Sequence, residues 1–361
     1  MRALDCVRAL ALGLLLAAPA AAQAPPPPPP APKKEDPNAG FVKPVKAKLE
    51  LTITAAKAEV QVGQLIETTV TLKNVGVDAV RLPKLAEDRQ LVSFEVQLNK
   101  GQAANFQKIT PSPYLSKTDW PTDELKPGKT WELKVNLPAL LTGDLTITAH
   151  YGRSTVPKLS PKPPAIVSKP VTVKMVAAKN GGERVRVRIV TSMGPIDVRL
   201  FPEQALGTCL HFGRLILEGA KVKGSDKVRK PYYKGLIFHR VIPGFMIQGG
   251  CPLGTGLGDA GYSIPAEFAA KGADGKVPET ARHIPGRLAM AHSSHKNSAG
   301  SQFFICTATS LHLDANYTCF GEVTRGMDVA MTIAEVDTDD KNKPKNPVRI
   351  ETVRLTPTPK K

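Results

Sequence analysis

The sequence predicts a mostly β protein made of two β domains, a sandwich followed by a barrel. Three observations predict it. Apolar and polar residues alternate with a period of two in many short runs, the signature of strands with one buried face. Turn formers punctuate those runs, with 33 prolines and 29 glycines in 361 residues. The texture of the chain changes at Lys179-Asn180-Gly181-Gly182, where a glycine pair marks a domain boundary. Hydrophobic residues at 42% and charged residues at 22% suit folded domains with apolar cores and exclude a disordered or fibrous chain.

Residues 1–24 read as a secretory signal. Arg2 and Arg8 give a positive start, Ala9–Ala21 is an apolar stretch shorter than a membrane span, and small residues follow. Cys6 leaves with this segment. Residues 25–45 begin with Pro25 to Pro30 and have no apolar face, so they read as a disordered, proline-rich linker. The expected location is outside the inner membrane, in the periplasm of a Gram-negative bacterium.

Residues 46–176 read as all-β. Leu49, Leu51 and Ile53 alternate with polar positions, as do Ile66, Thr68 and Val70. Val60 and Val62 lead into a turn at Gly63. Further runs cover 91–98, 130–137, 144–151 and 166–176. Turns fall at Asn74 to Gly76, Lys100-Gly101, Pro127-Gly128 and Thr142-Gly143. About seven short strands at this spacing predict an immunoglobulin-like sandwich. Trp120 and Trp131 are expected in or near its core. No clustered histidines, cysteines or paired carboxylates give this region a chemistry of its own.

Residues 183–356 begin as a hairpin. Val185, Val187 and Ile189 face one way while Arg184, Arg186 and Arg188 face the other. Met193-Gly194-Pro195 turns the chain, and Ile196, Val198 and Leu200 alternate again. A helix is predicted over 205–218, stopped by Gly219, and a second over 327–334. Strands are predicted over 236–240, 245–248, 286–291, 302–306, 318–323 and 348–354. Many short strands with two helices suggest closure into a barrel, which removes sheet edges.

The net charge is +17. It is spread over both halves, and no single basic helix gathers it, so nucleic acid is not an expected partner. The densest basic cluster, Lys221, Lys223, Lys227, Arg229 and Lys230, reads as a solvated, variable loop over 221–230. Gly254-Thr255-Gly256-Leu257-Gly258 lacks the Lys-Ser/Thr of a phosphate loop, so no nucleotide is expected. His292 and His295 have no third ligand close in sequence, so no metal is expected. Four cysteines follow the signal: Cys209, Cys251, Cys306 and Cys319. They are too few for a disulfide scaffold, and two, one or no bridges remain open.

Three segments carry a resemblance. Phe238-His239-Arg240-Val241-Ile242-Pro243-Gly244-Phe245-Met246-Ile247-Gln248-Gly249-Gly250 is similar to the signature of the cyclophilin family of peptidyl-prolyl isomerases. Gly300-Ser301-Gln302-Phe303-Phe304-Ile305 resembles its second signature. Phe320-Gly321-Glu322-Val323 with Gly326-Met327-Asp328 resembles its third. Order and intervals match over the C-terminal half. The resemblance implies an eight-stranded antiparallel barrel capped by two helices, and cis–trans isomerisation at X–Pro bonds with no cofactor. It implies Arg240 as the catalytic residue. It implies a substrate groove formed by Phe245, Met246, Gln248, Ala291, His292, Gln302, Phe304, His312, Leu313 and Tyr317. The implied partners are proline-containing polypeptides, here unfolded or partly folded exported proteins.

Departures from the family pattern sharpen this expectation. His292 stands where many members have Asn, and Tyr317 where a His often closes the proline pocket. Cys251 replaces a common Asp. His312 stands where drug-sensitive members carry Trp, so weak cyclosporin binding is expected. The same departures motivate a rival reading, a protein that grips proline motifs without turnover.

Overall fold

A computed structural model describes residues 48–83, 92–99, 105–109, 122–151, 166–222, 225 and 227–358. The signal and linker expectations, Trp120 and residues 152–165 lie outside them. In the first half the strands are β1 (Leu49–Ala55), β2 (Glu59–Gln61), β3 (Leu65–Asn74), β4 (Val80–Pro83), β5 (Val92–Asn99), β6 (Asn105–Ile109), β7 (Thr122–Leu125), β8 (Thr130–Pro138), β9 (Gly143–Tyr151), β10 (Ile166–Val167) and β11 (Val171–Val176). They form a three-stranded sheet, β1-β3-β8, and a larger sheet, β2-β11-β9-β5-β6, with β10 on β9 and a separate β4-β7 pair. The alternation that predicts these strands is the alternation of burial. Ile66, Val70 and Leu72 are fully buried in β3, as are Leu145, Ile147 and Ala149 in β9. The run predicted over 166–176 is two strands, interrupted at Ser168–Pro170.

In the second half the elements are β12 (Val185–Thr191), β13 (Gly194–Leu200), α1 (Leu206–Leu217), β14 (Ala220–Lys221), β15 (Val228–Arg229), β16 (Arg240–Ile242), β17 (Met246–Gly249), β18 (Arg287–Met290), β19 (Phe303–Cys306), β20 (Cys319–Arg325), α2 (Met327–Ala334) and β21 (Ile350–Pro357). Eight of these strands form one antiparallel sheet in the order β16-β17-β19-β18-β20-β13-β12-β21. Backbone pairing between Ile237 and Arg349 brings its two ends together. The strand predicted over 236–240 is corrected here: regular pairing starts only at Arg240. Leu236, Phe238 and His239 are all buried, so this stretch reads as a strand from its apolar content while making only that single bridge. Within the basic segment 221–230, Lys221 pairs with Val228 in the short β14-β15 hairpin.

Helix α1 plugs the eight-stranded sheet. The Phe212 ring lies 5.2 Å from Tyr233, 5.7 Å from Phe303 and 5.2 Å from Phe320, centroid to centroid. The N-cap residue Ala205 offers no side-chain acceptor. Glu267 supplies one from a distant loop, taking the Gly207 N–H at 3.0 Å and the Thr208 N–H at 2.6 Å. A carboxylate there satisfies two orphan donors and complements the helix dipole. Gly219, with φ +77°, ends the helix as its sequence predicts.

The other face of α1 rests on the first half of the chain. Asn136 on β8 donates to Glu218 at 2.5 Å. The backbone continues the join: Val185 donates to the Leu140 carbonyl at 2.8 Å, and Thr142 to Glu183 at 2.8 Å. Gly213 makes the approach possible, because a Cβ there would meet Pro138 Cγ at 2.8 Å. Gly213→Leu is therefore expected to lower stability by about 1–3 kcal/mol, the usual cost of overpacking. Urea unfolding measures it; an unchanged midpoint would contradict the packing of α1 on β8.

Candidate active site

Strand β16 delivers Arg240 and β17 delivers Met246 and Gln248, in antiparallel register with Arg240 opposite Gln248. The tight turn Pro243-Gly244 between them, with φ +67° at Gly244, places Phe245 at the start of β17. Strand β19 sets Phe304 opposite Gln248. The segment 311–317 adds Leu313 and Tyr317. Met246, Ala289, Phe304, Cys306 and Leu313 make a small apolar cluster separate from the main core, with Ile242, Phe245, Ala291 and Tyr317 packed against it. Proline-ring capture requires such a surface: apolar, walled and outside the sealed interior.

These residues line an open groove of about 290 Å³. Arg240, Phe245, Met246, Gln248, Ala291, His292, Phe304, Leu313 and Tyr317 all border it. Arg240 is exposed, while Met246, Phe304 and Leu313 are buried. Two of the residues implied by the resemblance do not border it. Gln302 stands behind the wall and holds it. His312 is exposed, its ring 5.7 Å from that of Phe245. His239, Thr255, Gly256 and Lys341 border the groove as well and were not among the expected groove residues. The glycine-rich run around 254–258 is the sequence signal for two of them; Lys341 has none.

A chain of hydrogen bonds runs from Arg240 into the protein. Arg240 Nη1 donates to Gln248 Oε1 at 3.5 Å, and Gln248 Nε2 donates to Gln302 Oε1 at 3.0 Å. Gln302 Nε2 in turn donates to the carbonyls of Gly256 at 2.8 Å and Gly258 at 2.9 Å. The N–H groups of the same two glycines point at Cys251 Sγ, 3.2 and 3.3 Å away. Burial pushes the Cys251 thiol up, yet backbone N–H groups from Thr255, Gly258, Leu253 and Gly256 outweigh it and hold it below the ordinary value. The sulfur of Cys251 thus accepts the N–H groups of the folded 251–258 loop. Among the described residues Cys209, Cys251, Cys306 and Cys319 are free and buried.

His292 is a brace. Its ring stacks on Tyr317 at 4.3 Å, and its two nitrogens lie 2.6 Å from the Ser293 carbonyl and 2.8 Å from the Asn316 carbonyl. Tyr317 also meets Phe304 edge-on at 5.7 Å. Among the described residues no group of three His, Cys, Asp or Glu gathers as a metal set.

Buried histidines predict acid sensitivity. Burial lowers His211 and His239 to about 4, and lowers His283 as well. Unfolded, these rings take protons near pH 6.5. Between pH 6.5 and 4.5 the unfolded chain therefore binds more protons at these sites, and stability falls with pH. Glu267, raised by burial to about 7, works in the opposite direction with one proton. The histidines outnumber it, so a net loss of roughly 2–3 kcal/mol is expected across that window. Urea midpoints from pH 7.5 to 4.5 check this; a flat or rising profile toward acid would contradict it.

Residues 186–355 match the family described as cyclophilin type peptidyl-prolyl cis-trans isomerase. Peptidyl-prolyl cis-trans isomerase B of Bacillus subtilis is 43% identical over 142 residues, 39% of this chain and 85% of that protein. Peptidyl-prolyl cis-trans isomerase A of Mycobacterium tuberculosis is 38% identical over 171 residues, 46% of this chain and 88% of that protein. A crystal structure of a Cryptosporidium parvum cyclophilin, determined with the dipeptide Ala-Pro, aligns over 48% of this chain and 99% of its own, with 30% identity and a TM-score of 0.40. The chain belongs to the cyclophilin-type peptidyl-prolyl cis-trans isomerases.

Proposed function

We propose that Arg240 is the catalytic residue of this isomerase, and that its substrates are X–Pro bonds in exported proteins as they fold. The juxtaposition of an exposed guanidinium with the apolar cup of Phe245, Met246, Phe304 and Leu313 carries the reading.

An X–Pro bond has two accessible isomers, the cis form costing only about 0.5–1 kcal/mol. A barrier of about 20 kcal/mol separates them, because rotation breaks amide resonance. No covalent bond is cleaved. As the bond twists, the prolyl nitrogen becomes pyramidal and its lone pair localises, so it gains acceptor strength. A donor that meets it only then lowers the barrier without tightening the ground state. Arg240 is suited to this role: it stays charged and carries a planar fork of N–H groups. The cup fixes the ring while Gln248, held by Gln302, orients the fork.

Two features support a polypeptide client. The groove is open at its surface, and Leu253 and Leu257, on the loop that borders it, are exposed apolar side chains. Export rests on the N-terminal sequence pattern of residues 1–24. The N-terminal sheets, with β2 pairing parallel to β11, fit an immunoglobulin-like module that presents clients or spaces the barrel. In this reading the domains span residues 46–176 and 183–356. The test is refolding of an exported protein limited by proline isomerisation, with the full chain added. Acceleration by the native chain and none by Arg240→Ala supports the reading. Binding of the client without acceleration would favour the proline-gripping alternative. N-terminal sequencing of the chain recovered from the periplasm tests export; an intact residue 1 in a cytoplasmic fraction would refute it.

A further inference from the structure

The groove carries a second cation, and it comes from far along the chain. Lys341 borders it together with Arg240, and among the described residues no aspartate or glutamate does. The turn that presents Lys341 is held at several points. Asp339 Oδ1 accepts the backbone N–H groups of Lys341 and Lys343, each at 2.9 Å. Asp339 N donates to the Lys343 carbonyl at 2.8 Å, and Thr338 pairs with Pro344 across the base. Asn342 adopts φ +60°, and its carbonyl accepts the N–H of Val241 at 2.7 Å, one residue from Arg240. The backbone that carries Lys341 is thereby fastened to the strand that carries the catalytic fork. Asp339 is occupied inside the turn. Asp337 and Asp340 are exposed and do not border the groove.

Arg240 accounts for the chemistry at the prolyl nitrogen. A second cation at the same rim, the ammonium of Lys341, adds nothing to that step, but it sets a field across whatever side chain lies beside the proline. We propose that Lys341 is a specificity-determining residue that favours X–Pro bonds flanked by an acidic side chain. The net charge of +17 draws acidic segments toward the chain in the same sense. This inference rests on the isomerase reading of the groove.

The test uses the full chain and a set of short peptides with Glu, Gln or Lys immediately before or immediately after the proline. Isomerisation is followed as kcat/KM at low salt. An exposed ion pair implies a preference of about two- to fivefold for Glu over Gln at one of the two positions, and a similar penalty for Lys. The preference should shrink toward unity at about 0.5 M salt, as expected for an exposed pair. In Lys341→Gln the Glu/Gln ratio should fall to about one, and in Lys341→Glu it should invert, about two- to fivefold in favour of Lys. Lys341 is exposed, and unchanged urea midpoints for both variants will show that the fold is kept. Equal rates for Glu and Lys peptides with the native chain would overturn the proposal. So would a preference that survives Lys341→Gln undiminished. Turnover of none of the peptides would instead overturn the isomerase reading, and this inference with it.

Discussion

Arg240→Ala is expected to lower kcat/KM toward short X–Pro peptides by about 10²–10³-fold, the usual cost of deleting one donor aimed at charge that develops in a transition state. The fold should survive, because Arg240 is exposed and its side chain reaches the protein through the long bond to Gln248. Arg240→Lys should recover little of the loss. An ammonium on a flexible stem keeps the charge but not the fork that Gln248 orients. Gln302→Ala should give a smaller defect in the same direction, because Gln302 holds both Gln248 and the 256–258 carbonyls. A coupled peptide assay with matched circular dichroism spectra checks all three. Activity of Arg240→Ala within twofold of the native chain would remove Arg240 from the mechanism.

The second large effect concerns stability. Phe212→Ala is expected to cost about 3–5 kcal/mol, through lost transfer free energy and the cavity left behind. Phe212 is fully buried, and three aromatic rings surround it. Those rings, Tyr233, Phe303 and Phe320, belong to the loop before β16, to β19 and to β20, so no single element can collapse to fill the gap. Phe303 also precedes Phe304 of the groove. The variant should therefore lose activity at a temperature well below the native melting point, where Arg240→Ala would still be folded. Calorimetry checks it; a change below about 1 kcal/mol would mean that α1 does not plug the sheet.

Much of this architecture was legible in the sequence, for physical reasons that differ by element. The hairpin of β12 and β13 was readable because one face is buried and the other carries Arg186, Arg188 and Arg199, so the period of two survives. Helix α1 was readable because Gly219 stops it at a left-handed position. Residues 236–239 misled because three of the four are buried without being paired as a strand. Strands β4, β6 and β7 were missed; the longest has five residues, too few for an alternation to register. At the site, Arg240, Phe245, Met246 and Phe304 lie within two of the motifs and could be named, while Leu313 lies in none and was reached through the resemblance alone. Lys341 could not, because it reaches the groove only through the Asn342–Val241 bond across about a hundred residues. The role of Cys251 was equally hidden, since its partners are backbone N–H groups that only the folded loop aligns.

Arg240 is proposed to act on the twisted amide more than on the bound peptide. Magnetisation-exchange spectroscopy on an X–Pro peptide, with the native chain and with Arg240→Ala, reports both the affinity and the cis–trans rate of the bound peptide. In Arg240→Ala the bound exchange rate is expected to fall by about 10²-fold or more while the dissociation constant changes by less than about threefold. Loss of affinity with the bound rate intact would contradict it, and would leave Arg240 as a binding residue only.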